Sequence, residues 1–131
     1  MTTFSKPCRL VAEDQALIAL ALEAALEEVG IGIAGPFGSC FEASAWVERH
    51  TPELAILDFK LRDGPCTNLA QILLGRGVPV IITSGCPQGP HTPPELYDVI
   101  WLEKPVDPAC LLALIERVAP ALAYGVPSPV V

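Results

Sequence analysis

The stretch PELAILDFKLRDG, residues 52–64, runs through four apolar residues, Leu54 to Leu57, straight into a carboxylate, Asp58, and then into a turn-forming Asp63-Gly64. A run without in-out alternation suits a strand covered on both faces. Ending such a strand on an acid needs a reason. Four other runs have the same character: Leu10-Val11-Ala12, Ile31-Gly32-Ile33-Ala34, Val80-Ile81-Ile82 and Val99-Ile100-Trp101-Leu102. Five buried strands predict a parallel sheet, and helix-like segments fall between them at residues 15–29, 40–49, 67–76 and 108–119. The helix ends are marked. Ser39-Cys40-Phe41-Glu42 fits a capping box, Asp107-Pro108 sets an N-cap acid before a first-turn proline, and Gly30 and Gly77 can take the left-handed cap conformation. In the first helix Ile18, Leu22 and Leu26 share a stripe, which Leu17, Leu20 and several alanines widen to a breadth that suits either the core or a partner.

One interval breaks the alternation. GCPQGPHTPPELYD, from Gly85 to Asp98, has four prolines and two glycines, leaving room for a single turn near Pro94 to Tyr97 and otherwise a loop of low local stability. The C-terminal YGVPSPVV reads as a tail. The chain of 131 residues is therefore expected to be one domain over 1–131, with a core at about 8–119 and a tail at 120–131.

Composition narrows the function classes. A net charge of −7 argues against binding a phosphate backbone, which needs clustered Lys and Arg, so no nucleic-acid partner is expected. No apolar run approaches the roughly 20 residues of a membrane span, and the N-terminal MTTFSKPCR lacks a signal core. The expected location is the cytoplasm, without membrane association. The five cysteines, at 8, 40, 66, 86 and 110, show no CxxC spacing and read as small buried apolar residues. His50 and His91 stand in loop contexts without partners at ligand spacing and are expected to be exposed.

Open parallel sheets bind ligands at the carboxyl ends of their strands. Here those ends carry Glu13-Asp14, Asp58, Thr83-Ser84 and Lys104-Pro105. Each alone has an ordinary reading: acids starting a helix, a turn aspartate, a turn hydroxyl, a solvated lysine. Together they suggest chemistry. Clustered carboxylates repel unless a cation sits among them, and Mg²⁺ accepts one or two carboxylates with waters and phosphate oxygens completing its octahedron. A carboxylate beside such an ion can attack phosphorus to form an aspartyl phosphate, with a hydroxyl and a lysine as donors to the transferred group. Asp58 is the candidate acceptor, with Ser84 and Lys104 as the donors.

RLVAEDQALIALALEAALEEVG, LAILDFKLRDG, VPVIITSG and VIWLEKPVDPACLLALI together resemble the receiver domain of two-component response regulators, from about Cys8 to Ala119. The short third helix, the RGVPV run and the missing fourth helix resemble the alphaproteobacterial receivers named for a PFxFATGY motif and associated with HWE-type histidine kinases. The resemblance implies a flavodoxin-like α/β sandwich with a five-stranded parallel sheet of order 2-1-3-4-5 and the fourth helix reduced to a loop. It implies that Asp58 accepts phosphate from a histidine kinase or histidine phosphotransferase. It also implies that Asp14 ligates Mg²⁺ directly, Glu13 acts through water, and Asp58 and the Lys60 carbonyl complete the protein contacts. Ser84 takes the hydroxyl place and Trp101 the aromatic switch place. One departure stands out: Cys86 replaces the final aromatic of the motif.

The function expected is a stand-alone receiver in a phosphorelay that signals by a conformational change, not an enzyme beyond Mg²⁺-dependent self-phosphorylation and dephosphorylation. It would act on an unknown downstream protein, by homodimerising, or as a phosphate shuttle or sink. The alternative is a phosphorylation-independent interaction module on the same fold. A haloacid-dehalogenase-like phosphotransferase is disfavoured, because Lys60 stands where that class has its second aspartate.

Overall fold

The computed structural model describes residues 9–118. Cys8 and the expected tail at 120–131 lie outside the described residues. In chain order the elements are β1 (Arg9–Ala12), α1 (Ala16–Glu28), β2 (Ile33–Phe37), α2 (Cys40–Val47), β3 (Leu54–Asp58), β4 (Lys60–Leu61), β5 (Gly64–Pro65), α3 (Thr67–Gly75), β6 (Val80–Ser84), β7 (Ile100–Glu103) and α4 (Pro108–Val118). A single 3₁₀ turn, Pro94–Leu96, lies between β6 and β7. The main sheet has the order β2-β1-β3-β6-β7 with all pairings parallel, which is the expected 2-1-3-4-5 counted over its own five strands. The unbroken apolar runs are explained by position: every residue of the inner strands β3 and β6 is buried, as strands covered on both faces require.

The core is split by the sheet. On one side α2 and α3 pack on Leu10, Ala55, Leu57, Val80 and Ile82. On the other, α1 and α4 pack on Val11, Leu54, Ile56 and Ile81. Odd and even strand positions thus face opposite layers, as period two demands.

The helix ends follow their sequence signals. Ser39 Oγ accepts from Glu42 N–H at 3.1 Å, and Asp107 Oδ1 accepts from Ala109 N–H at 2.9 Å. Gly30 at φ 82° and Gly77 at φ 80° each close a Schellman motif. Gly30 N–H reaches Glu27 O and Ile31 N–H reaches Leu26 O; Gly77 and Val78 repeat the pattern on Leu74 and Leu73.

Some expectations shift. The second strand begins at Ile33 rather than Ile31 and runs to Phe37, only partly buried, because it lies at a sheet edge. Its register against β1 slips between Leu10 and Ala12, across Gly35-Pro36. Gly35 has φ 104°, and a Cβ there would stand 2.5 Å from Val11 O, so the slip requires glycine. Among the described cysteines only Cys66 is buried; Cys40 is half-buried and Cys86 and Cys110 are exposed. The expectation that they all serve as core residues is corrected, since the last two fall on a loop and on the outer face of α4. His50 and His91 are exposed, as expected, with His50 stacked on Trp46 at 4.6 Å. The Gly85–Asp98 loop is better anchored than its composition suggests. Leu96 is fully buried, Thr92 is buried with Oγ1 accepting from Gly89 N–H, and the Gln88 amide donates to the carbonyls of Leu96 and Tyr97.

Candidate functional site

The carboxyl ends of β1, β3, β6 and β7 meet on one edge, where the strand register sets Asp58 beside Thr83 and Ser84 beside Glu103. Carboxylate oxygens of Glu13, Asp14 and Asp58 all lie within 4.8 Å of one another. Glu13 and Asp58 are buried, and Asp14 is exposed. Lys104, just past β7, bridges the buried pair, with Nζ 2.9 Å from Glu13 Oε1 and 3.0 Å from Asp58 Oδ2. An open cleft lined by Asp14, Asp58, Lys60, Arg62, Gly85 and Lys104 gives access.

Burial is the largest influence on Asp58 and pushes its carboxyl up; the Lys104 hydrogen bond opposes this and the Glu13 charge adds to it, leaving the group at about 6. Burial also works against the Lys104 ammonium, but its bonds to Glu13 and Asp58 outweigh that and hold its pKa above the usual value. Glu13 Oε2 accepts from Lys104 Nζ and from Gln15 N–H at the start of α1. This acid therefore serves the helix start and the cluster together. Glu13 Oε1 is buried with the Lys104 ammonium 2.9 Å away. One lysine among three clustered carboxylates leaves excess negative charge, which fits a divalent cation with oxygen ligands.

The Lys60 backbone also faces this edge. Lys60 pairs with Pro65, which has no N–H, and the neighbouring hairpin bond runs from Cys66 N–H to Phe59 O. The Lys60 peptide groups therefore turn away from the partner strand, and its N–H points to Asp58 Oδ1 at 3.4 Å.

Ser84 lies on the opposite side of β6 from Thr83, on the layer where Trp101 packs. Ser84 Oγ accepts from Cys86 N–H at 3.1 Å, Trp101 Nε1–H donates to Cys86 O at 3.0 Å, and the Trp101 ring packs at 5.3 Å on Phe59, next to Asp58. Thr83 instead lines an apolar groove of about 220 Å³ with Ile18, Ala21, Lys104, Pro105 and Val106. Glu13, Asp14, Asp58, the Lys60 backbone and Lys104 thus converge, whereas Ser84 touches this edge through its carbonyl, which accepts from Lys104 N–H, and turns its hydroxyl to Cys86 N–H; Trp101 contacts Cys86 O and Phe59. Sequence reasoning gave no site role to Arg62 or to Asp63, which sits at the tip of the same hairpin.

No family model matches the chain. It is 37% identical over 81 residues to the transcriptional regulatory protein PdtaR of two Mycobacterium tuberculosis strains, covering 60% of this chain and 39% of that protein. The chain therefore spans about two fifths of the length of these curated relatives. Among solved structures, the CheY-like response regulator receiver domain protein of Methanospirillum hungatei JF-1 superposes with a TM-score of 0.77 at 25% identity, covering 87% of this chain and 94% of that one. The chain thus has the fold of response-regulator receiver domains and is similar to them in sequence. The PhyR receiver of Erythrobacter litoralis resembles this chain over 96% of its length and 98% of the other, with a TM-score of 0.69 at 25% identity. Among the described residues, no helix is long and apolar enough to cross a membrane.

Proposed function

We propose that Asp58 accepts a phosphoryl group from the phosphohistidine of a histidine kinase or histidine phosphotransferase, and that the receiver signals through the resulting conformational change. The observation that carries this reading is Asp58 itself: a carboxylate ending a buried strand, open to a cleft, with a lysine on one oxygen and two acids beside it. At neutral pH a carboxyl at about 6 is largely ionised and can attack phosphorus. The Asp58 O–P bond forms as the P–N bond of the donor breaks. Lys104 stays beside the new phosphoryl oxygens as a point charge, and the Ser84 hydroxyl donates to another. Asp14, Asp58 and the Lys60 carbonyl would hold Mg²⁺, with Glu13 acting through water. The ion, when bound, neutralises charge on the transferred group.

The donor docks over α1. Leu17 and Leu20 on its outer face are 83% and 60% exposed, and Leu17 lines the apolar groove beside Lys104, a surface with no use in the core. The missing helix between β6 and β7 and the RGVPV run support placement among the PFxFATGY-type receivers of HWE kinases, acting in the cytoplasm. Incubation with Mg²⁺ and a small phosphodonor such as acetyl phosphate, followed by intact mass, tests the reading. One Mg²⁺-dependent added phosphoryl group is expected. No labelling, with the fold intact, would favour the phosphorylation-independent interaction module.

Metal ligation has its own ranking. Glu13 is held by Lys104 and Gln15, whereas among the described residues the exposed Asp14 carboxylate accepts no hydrogen bond. Asp14→Asn should therefore weaken Mg²⁺ binding about tenfold, and Glu13→Gln by less, as outer contacts cost less than a direct ligand. Magnesium titration of both variants checks the order, and the reverse order would reassign the direct ligand.

The switch is also testable. If Ser84 turns its hydroxyl to the phosphoryl group, Cys86 N–H loses its acceptor and the loop carbonyl that holds Trp101 is free to shift. In a Trp46→Phe variant only Trp101 fluoresces, and its emission should change on phosphorylation. An unaltered spectrum at full phosphorylation argues against this coupling.

A further inference from the structure

Asp63 reads from sequence as half of a turn, yet its carboxylate reaches 23 residues back along the chain to the first turn of α2. Oδ1 accepts from Cys40 N–H at 2.7 Å and Oδ2 from Phe41 N–H at 3.0 Å. Ser39 already serves Glu42 N–H, so one helix start is capped from two places, once locally and once from the β4–β5 hairpin. These bonds hold the Asp63 carboxyl below its usual pKa, with the Cys40 N–H bond the largest cause.

The clasp has more members. Arg62 N–H donates to Gly38 O at 3.2 Å, and the Cys40 thiol points at Pro65 O and Gly64 O at 3.5 and 3.6 Å. The Arg62 guanidinium lies over Gly38, where a Cβ would collide with it, and approaches Glu42 at 3.9 Å. All these contacts tie the hairpin to the β2–α2 junction. The hairpin has little hold of its own: it consists of two residue pairs, and so short a ribbon is marginal without packing. Its first residue is Lys60, whose peptide faces Asp58.

We infer that Asp63 is a positioning residue for the metal: by clamping the hairpin to α2 it holds the Lys60 carbonyl toward the acidic cluster. The inference rests on the Mg²⁺ reading above and extends it to a residue outside the cluster. A carbonyl is a useful ligand only where it is held, because Mg²⁺ demands near-ideal octahedral geometry.

The test is Mg²⁺ titration of the full chain followed by the backbone carbonyl chemical shift of Lys60 in NMR spectra, on wild type, D63A, D63N and S39A. D63A should weaken binding about tenfold, in the range that outer-shell partners contribute to metal sites, and should reduce the Lys60 shift. D63N keeps one acceptor oxygen and should retain part of both effects. S39A removes the local cap of the same helix and should lower Tm while leaving Mg²⁺ affinity near wild type. If D63A does not fold, D63N against S39A decides. Equal Mg²⁺ affinity in wild type and the Asp63 variants, or equal loss in the Asp63 and Ser39 variants, overturns the inference and leaves the metal reading standing. A wild-type protein that binds no Mg²⁺ removes both.

Discussion

Asp58→Asn should abolish the phosphoryl incorporation that the wild-type receiver shows with Mg²⁺ and acetyl phosphate. An amide is a poor nucleophile toward phosphorus, and no neighbour is placed to substitute. Glu13 is buried behind Lys104, and Asp14, though exposed, has no lysine on its oxygens among the described residues. Ser84 turns its oxygen to Cys86 N–H. Intact mass of both proteins after the same incubation measures the difference. The wild-type label should be lost on treatment with hydroxylamine, as an acyl phosphate is, and equal labelling of the variant would move the acceptor elsewhere.

The second large effect is on stability without metal, where two substitutions in one ion-pair network should have opposite signs. Asp58 rises from the usual 3.8 to about 6 on folding, mainly through burial. A carboxyl raised on folding contributes stability that is fully present below the unfolded pKa and is lost as pH climbs through the folded one. The metal-free receiver should therefore lose stability from about pH 4 to pH 6. The full shift corresponds to about 3 kcal/mol. Screening at the open cleft and the lost Lys104 bond reduce the expected gain for Asp58→Asn to about 1 to 2 kcal/mol at pH 8. That gain should shrink toward zero near pH 4. Lys104→Met leaves Glu13 and Asp58 buried without their cation and should cost about 3 kcal/mol at pH 8, less at low pH where Asp58 is protonated. Urea unfolding at both pH values, with EDTA, reads both signs. A destabilised Asp58→Asn would show that the lysine bond outweighs burial. Added Mg²⁺ should erase most of the advantage of Asp58→Asn, because the wild-type cluster then has its counter-charge.

Much of this could be read from the chain because its causes are local. The runs at Leu54–Leu57 and Val80–Ile82 lack alternation because both faces are covered, and Gly30, Gly77, Ser39 and Asp107 close or open helices through bonds made within a few residues. The convergence of Asp58, Glu13, Asp14 and Lys104 was legible for a topological reason: parallel strands end on one edge, so whatever follows them meets there. Other features depend on distant segments. Leu17 and Leu20 share the composition of the core-facing stripe, and only the packing of α1 on the sheet shows that they face outward. Cys66 is buried and Cys86 exposed, although neither spacing nor chemistry separates them. Strand β2 starts later than its apolar run and slips register at Gly35, where a Cβ would meet the Val11 carbonyl of the neighbouring strand. Asp63 caps a helix 23 residues upstream, a bond with no local signature. Period, caps and turn residues act within a few residues and were determined by the sequence alone; which face is covered, and which distant donor a carboxylate meets, was decided only when the hairpin and α2 came together in the tertiary fold.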